Sequence, residues 1–346
     1  MRAKGSGSMI CKLRPACKSY IWGGRRLIEE YGKGDGAGNL AESWELSCHP
    51  DGPSIAADGP YTGRSLPEIL AERPELAGRA VESLGRFPVL VKLIDAARDL
   101  SVQVHPDDAY ALKHEGQLGK TEMWYIIDAE PGAGLYCGFR REVTPAQLHT
   151  AIEGNTLCEL LRRVPVKAGD VVFIPAGTVH AIGAGILLAE IQQSSSVTYR
   201  LYDYGRLGAD GKPRELHIDK ALDVAALSPA PASFGFGGHL GDCRYFTADL
   251  FACSGQAELY AGEDSFLHLL VIEGELELGG LHAGKGESVF VSADSGSCTV
   301  RGEGKAILTY VKRPQMLDFA RGCAIFLCRC TKMPKTNAAI MFWKEQ

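Results

Sequence analysis

Apolar positions along this chain mostly fall in short runs or alternate with polar ones, and glycine or proline closes nearly every run. "FPVLVKLIDA" (87–96), "LSVQVHP" (100–106), "TEMWYIIDA" (121–129), "DVVFIPA" (170–176) and "ILLAEIQQ" (186–193) read as strands. A second series follows position 240, with "FLHLLVIEGELEL" (266–278), "ESVFVSA" (287–293) and "KAILTYVKR" (305–313). Helical spacing is only local. "SLPEILAERPELAGRAVESLG" (65–85) predicts two short helices broken at Pro74, which can neither donate the helical bond nor fit behind the preceding turn. "PDDAYALKHEG" (106–116) and "TPAQLHTAIEG" (144–154) each carry a capping start and a terminal glycine. The pattern predicts an all-β chain with helical insertions in its N-terminal half.

Between the two series lies "LSPAPASFGFGGHLGD" (227–242), rich in Pro, Ala and Gly, where a boundary is expected. The later series echoes the earlier one, and this weak repeat predicts two β domains of unequal size. The expected units are 9–230, carrying the chemistry, and 240–313, carrying none. Residues 1–8 read as a linker or cloning scar, and 314–346 as a tail of undetermined structure.

Composition narrows the function classes. With 346 residues, 45% apolar and 23% charged, the chain can bury a full core. A net charge of −5 gives no reason to expect nucleic acid or an anionic membrane as partner. No run approaches the ~18 apolar residues of a membrane span, and the N-terminal residues lack the apolar stretch of an export signal. Eleven cysteines, an odd number, predict reduced thiols in a cytoplasmic protein. The tail thiols Cys323, Cys328 and Cys330 have neither CxxC spacing nor a nearby histidine, which argues against a zinc knuckle.

Chemistry concentrates around one histidine. "GDVVFIPAGTVHAIG" (169–183) is an apolar strand running into Pro-Ala-Gly and delivering His180. Alone, His180 could be a core histidine with a satisfied hydrogen bond. Strand alternation, however, puts Ser101, Gln103 and His105 on one face of "LSVQVHP", and Lys120 with Glu122 on one face of the next strand. Gln103, His105, Glu122 and His180 together make a mixed N/O set suited to a divalent transition metal. Two histidines and a carboxylate also match a recurring catalytic zinc set.

The order of these pieces, Q-x-H then E, followed by Gly169, Pro175, Gly177 and His180 in G-x5-P-x-G-x2-H, resembles the two cupin motifs. A wider set of stretches resembles class I mannose-6-phosphate isomerases of the shorter bacterial form. These are "KLRPACKSYIWGG" (12–24), "AESWELSCHPDG" (41–52), "GKTEMWYIIDAEPGA" (119–133) and "PAGTVHAIGAGILLAEIQQSSSVTYRLYDYGR" (175–206). The resemblance implies two cupin-type jelly-roll barrels, one zinc per chain and a sugar-phosphate substrate in a monomer or weak homo-oligomer. It implies zinc ligands Gln103, His105, Glu122 and His180, an active-site Arg200, and a pocket lined by Lys92, Ser101, Lys120 and Glu190. Two positions depart from family patterns: Gly119 stands where longer members have histidine, and Ser196 where many short members have aspartate.

That activity interconverts mannose 6-phosphate and fructose 6-phosphate through an enediolate, so charge must be stabilised on oxygen while a base moves a carbon-bound proton. A divalent metal would act as Lewis acid. Arg200 would stabilise the enediolate or grip phosphate. Glu190 and Lys120 are the candidate bases, with Glu190 favoured because a carboxylate is ready at neutral pH. Two other readings share parts of this signature. A non-haem iron oxygenase uses two His and one carboxylate, but Gln103 would fill an open position, and Lys92, Lys120 and Arg200 suit phosphate better. A non-enzymatic sugar-binding cupin would need no acid/base pair.

Overall fold

The computed structural model describes residues 8–208, 211–230 and 238–313. All but Ser8 of the expected N-terminal linker (1–8) and the whole 314–346 tail with its three cysteines lie outside the described residues. Three sheets dominate. A six-stranded sheet runs Val171–Ile174, Glu122–Ala129, Ile186–Gln193, Val89–Ala96, Glu42–Leu46, Ala16–Lys18. A five-stranded sheet runs Tyr199–Tyr202, Val102–Val104, His180–Ile182, Gly134–Phe139, Leu161–Pro165. The eight-stranded sheet runs His239–Asp242, Thr247–Ala261, Gly296–Tyr310, Leu267–Leu278, Ser288–Val291, Ile10–Arg14, Ile55–Ala56, with Leu281–Gly284 beside Leu267–Leu278.

The six-stranded sheet is the middle layer, which explains why Val89–Ala96 and Ile186–Gln193 are buried at every position. Ile94, Trp124, Ile126 and Leu188 face the five-stranded sheet in one core. Val89, Val91, Met123 and Ile191, from the opposite face, pack on Phe246, Phe266, Leu270 and Phe290 of the eight-stranded sheet. Sheets covered on both sides lose the apolar-polar alternation and read as continuous apolar runs. The outer face of the five-stranded sheet carries Val102, Val104 and Leu201, roofed by helices Pro145–Glu153, Leu157–Leu160 and Ile218–Val224.

The paired helices around Pro74 form as Leu66–Glu72 and Arg79–Leu84, with a 3-10 turn beginning at Pro74 itself. Ser65 and Glu68 close a capping box on the first. The helices expected at 106–116 and 144–154 span Asp108–His114 and Pro145–Glu153. Two features differ from the sequence reading. The sheets are open paths rather than closed barrels, because no ladder joins the two end strands of any of them among the described residues. Strand Ile10–Arg14, within the expected 9–230 unit, pairs with Ser288–Val291 and so extends the eight-stranded sheet. Its alternate side chains Cys11 and Leu13 are buried there, as is Met9 just before it.

Candidate active site between two sheets

The site forms where the inner faces of the six- and five-stranded sheets meet. Gln103 is the register partner of both His180 and Arg200, so one residue of Val102–Val104 aligns a histidine and a guanidinium on its two sides. Across the gap, the pairings Glu190↔Lys92, Glu190↔Trp124 and Gln192↔Glu122 set the opposing row. Every residue singled out from sequence converges here. Lys92, Ser101, Gln103, Lys120, Glu190 and Arg200 line a cleft of about 330 Å³, and His105, Glu122 and His180 are buried behind its lining residues Gln103 and Lys120.

The turn at Pro175–Gly177 places His180. Gly177 has φ +86°, a left-handed conformation that side chains resist, and its amide donates to the carbonyl of His105 at 2.8 Å. The turn is thereby tied to the end of the strand bearing the other ligands. Gly119 has an equally physical cause: a Cβ there would lie 2.5 Å from the backbone of Asp107, so no histidine fits this loop. Ser196 lies at the cleft edge, where its amide donates to the Gln117 side chain at 3.3 Å.

His105, Glu122 and His180 offer ligand atoms that all lie within 4.8 Å of one another. His105 Nδ1 lies 2.9 Å from the Val197 carbonyl and His180 Nδ1 2.8 Å from the Thr178 carbonyl, which assigns the ring protons to Nδ1 and turns both Nε2 lone pairs inward. Burial, then the nearby Lys120 charge, pushes His180 down to about 4 and His105 well below its ordinary value. Both rings are therefore neutral, the form a metal requires. Gln103 Nε2 as placed lies 3.3 Å from His180 Nε2, and its amide can present oxygen instead by a simple flip. Glu122 Oε1 is buried with no hydrogen-bond partner, and burial together with Glu190 raises its carboxyl. An orphaned carboxylate oxygen facing two inward lone pairs fits a divalent cation.

Glu190 behaves oppositely. Burial alone would raise it, but Lys120 and Lys92 outweigh burial and hold it well below the usual range. Its Oε1 sits 3.2 Å from Lys92 and 3.7 Å from Lys120, while Trp124 Nε1 donates to Oε2 at 3.0 Å. Lys120 bonds Glu122 Oε2 and lies 3.1 Å from His105 Nε2. Lys92 is kept charged despite burial by Glu42 and Glu190. Arg200 donates from Nε to Ser101 Oγ at 3.2 Å and from Nη1 to the Glu215 carbonyl at 2.9 Å. Sequence reasoning did not single out Glu42, Trp44 or Arg214, which also line the cleft. Glu42 and Trp44 sit inside a stretch quoted only for its family likeness. Arg214 is in a loop without periodicity.

Residues 10–128 match the family model for the catalytic domain of type I phosphomannose isomerase, and residues 239–311 that for the mannose-6-phosphate isomerase cupin domain. The mannose-6-phosphate isomerase ManA of Bacillus subtilis is 43% identical over 272 residues, covering 76% of this chain and 85% of that protein. The mannose-6-phosphate isomerase of Streptococcus mutans is 46% identical over 214 residues, covering 62% and 67%. Among solved structures, mannose 6-phosphate isomerase from Bacillus subtilis superposes with a TM-score of 0.78 at 36% identity, covering 87% of this chain and 99% of that one.

Proposed function

This chain belongs to the type I phosphomannose isomerase family, and from that premise we propose how its residues interconvert mannose 6-phosphate and fructose 6-phosphate. The observation that carries the reading is the buried His105–Glu122–His180 trio in contact with Lys120 and Gln103 of a cleft also lined by Lys92, Arg200 and Glu190. His105, Glu122, His180 and Gln103 would hold one divalent cation, zinc by family likeness. When bound, that cation supplies Lewis-acid stabilisation of negative charge on the sugar oxygens.

In the open-chain aldose, Glu190 takes the proton from C2 and the electron pair moves toward the C1 carbonyl, giving an enediolate. The O2 proton passes to O1, and the carboxyl returns its proton to C1 to give the ketose. Glu190 suits this task because Lys92 and Lys120 keep it ionised and Trp124 fixes its plane. Lys120, 3.7 Å from Glu190, is placed to hold the proton relayed between O2 and O1. Arg200, anchored through Ser101 and Glu215, keeps Nη2 free of hydrogen bonds among the described residues and lines the cleft as fixed positive charge for the enediolate. Lys92 and Ser101 contribute polar lining. The unit over 9–230 carries this chemistry, and the unit over 240–313 is a cupin-type jelly roll that supports it. Among the described residues no helix is long and apolar enough to cross a membrane, and the family likeness supports a place in sugar-phosphate metabolism.

A coupled assay or NMR time course on mannose 6-phosphate tests the function. Fructose 6-phosphate should form, stop forming after chelator treatment, and resume on adding back zinc. Turnover that persists through complete chelation would refute the metal-dependent reading.

A further inference from the structure

We infer that Tyr245, supplied by the unit beyond 240, is a positioning residue for Lys120, acting through Asp108 on the loop that carries the lysine; the inference rests on the isomerase reading above. Lys120 stands in no helix or strand, between helix Asp108–His114 and strand Glu122–Ala129. Three consecutive amides set its place instead. Gly119 N donates to Asp108 Oδ1 at 2.8 Å, Lys120 N to the Pro106 carbonyl at 3.0 Å, and Thr121 N to Gln193 Oε1 at 2.8 Å. Gln193 closes the set by donating Nε2 to the same Asp108 Oδ1 at 2.9 Å. Pro106 follows His105, and Gln193 ends the strand that carries Glu190. These bonds therefore fix Lys120 relative to two groups its ammonium reaches, His105 at 3.1 Å and Glu190 at 3.7 Å.

Asp108 is the hub, and what holds it comes from far along the chain. Tyr245 donates its hydroxyl to Asp108 Oδ2. Both carboxylate oxygens are thereby taken by neutral donors, and Asp108 forms no ion pair among the described residues. Without the tyrosine, one oxygen alone would oppose rotation about the last side-chain torsion, which has little preference of its own. Tyr245 lies in the turn between strands His239–Asp242 and Thr247–Ala261, and the next residue, Phe246, is fully buried in the core shared with the six-stranded sheet. The hydroxyl is thus presented from a fixed base. Tyr245 does not line the cleft, so it acts without touching substrate. Small displacements of a reacting group cost large factors in rate, which gives this remote bond its leverage.

The test uses full-length, metal-loaded wild type, Tyr245→Phe, Asp108→Ala, Asp108→Asn and the double variant Tyr245→Phe with Asp108→Ala. Turnover of mannose 6-phosphate is measured well below each melting temperature, with bound metal and amide exchange at 119–121 read alongside. Tyr245→Phe should lower kcat by about fivefold to twentyfold and speed exchange at the three amides, with KM and bound metal near wild type. Asp108→Ala should cost about tenfold to a hundredfold, and adding Tyr245→Phe should cost nothing further, because both act on one hydrogen-bond path. Asp108→Asn should keep most of the wild-type kcat, since its oxygen still accepts from Gly119 and its amide can donate to the Tyr245 hydroxyl. Wild-type kcat or wild-type exchange in Tyr245→Phe overturns the inference. So does a Tyr245→Phe penalty repeated in full on Asp108→Ala, or a loss that merely follows bound metal. If Asp108→Ala does not fold, Tyr245→Phe alone decides, by its kcat at unchanged KM together with exchange at 119–121. A wild type that does not turn over mannose 6-phosphate refutes the isomerase reading, and amide exchange still decides whether Tyr245 fixes the loop.

Discussion

Two carboxylates buried within reach of the same lysine are driven in opposite directions here. Glu122 is raised by burial and by Glu190, whereas Lys120 and Lys92 hold Glu190 low. Groups whose environments separate their titrations take different roles: Glu122 gains from a cation on its orphaned oxygen, and Glu190 stays a free base. Replacing the base should remove proton transfer while leaving binding intact. Glu190→Gln is therefore expected to lower kcat by about 10²- to 10⁴-fold with little change in KM. The decisive readout is exchange of the C2 proton with deuterated water, and exchange at the wild-type rate would move the base to Lys120. Arg200→Lys should likewise lose mainly kcat, by about 10²-fold, as when an oxyanion donor is removed. Steady-state kinetics showing a raised KM at normal kcat would instead make Arg200 a ground-state grip.

At the scale of elements, the turn delivering His180 is the feature most exposed to a single change. Gly177→Ala would force a side chain into a left-handed φ and set a Cβ 3.0 Å from the Val224 carbonyl. The expected cost is about 1–2 kcal/mol, seen as a lower melting temperature and, because the turn is bonded to His105, weaker metal retention. A variant that melts and retains metal like wild type would show that the turn does not position the ligand. This turn was legible in sequence because proline, glycine and histidine carry their constraints locally. So were the middle-layer strands, whose unbroken apolar runs reflect burial on both faces, and the helix break at Pro74. Leu161–Pro165 was not legible, since its Arg162 and Arg163 interrupt any apolar signal in an edge strand. Nor was the pairing of Ile10–Arg14 with Ser288–Val291, because five residues cannot specify a partner so far along the chain. Arg214 escaped for the same reason: only the folded loop brings it onto Asp203.

Over the whole molecule, the repeat seen weakly in sequence is visible in the backbone. Gly169 and Gly286 share φ near +88° and +86°, and Asp294 adopts the left-handed turn that Gly177 makes in the earlier unit. Where His180 follows that turn, Ser297 stands in the later one. His268, the imidazole nearest the matching region, lies on the face bearing Phe266 and Leu270, toward the six-stranded sheet, and both its ring nitrogens are buried without hydrogen-bond partners. Burial, then Lys33, pushes it down to about 3. Its proton is thus bound more tightly unfolded than folded, so stability is unaffected above pH 6.5 and falls as pH drops toward 3, by about 2 kcal/mol at pH 5. Denaturation curves of His268→Ala should lose that share of the acid slope, with metal content and kcat near wild type; an unchanged slope would contradict the assignment. The central claim, that Gln103, His105, Glu122 and His180 hold the one functional metal, is tested most directly by elemental analysis of wild type and His180→Ala after equilibration with zinc. The account predicts one chelator-sensitive equivalent per chain in wild type and almost none in the variant, and one full equivalent retained by His180→Ala would contradict it.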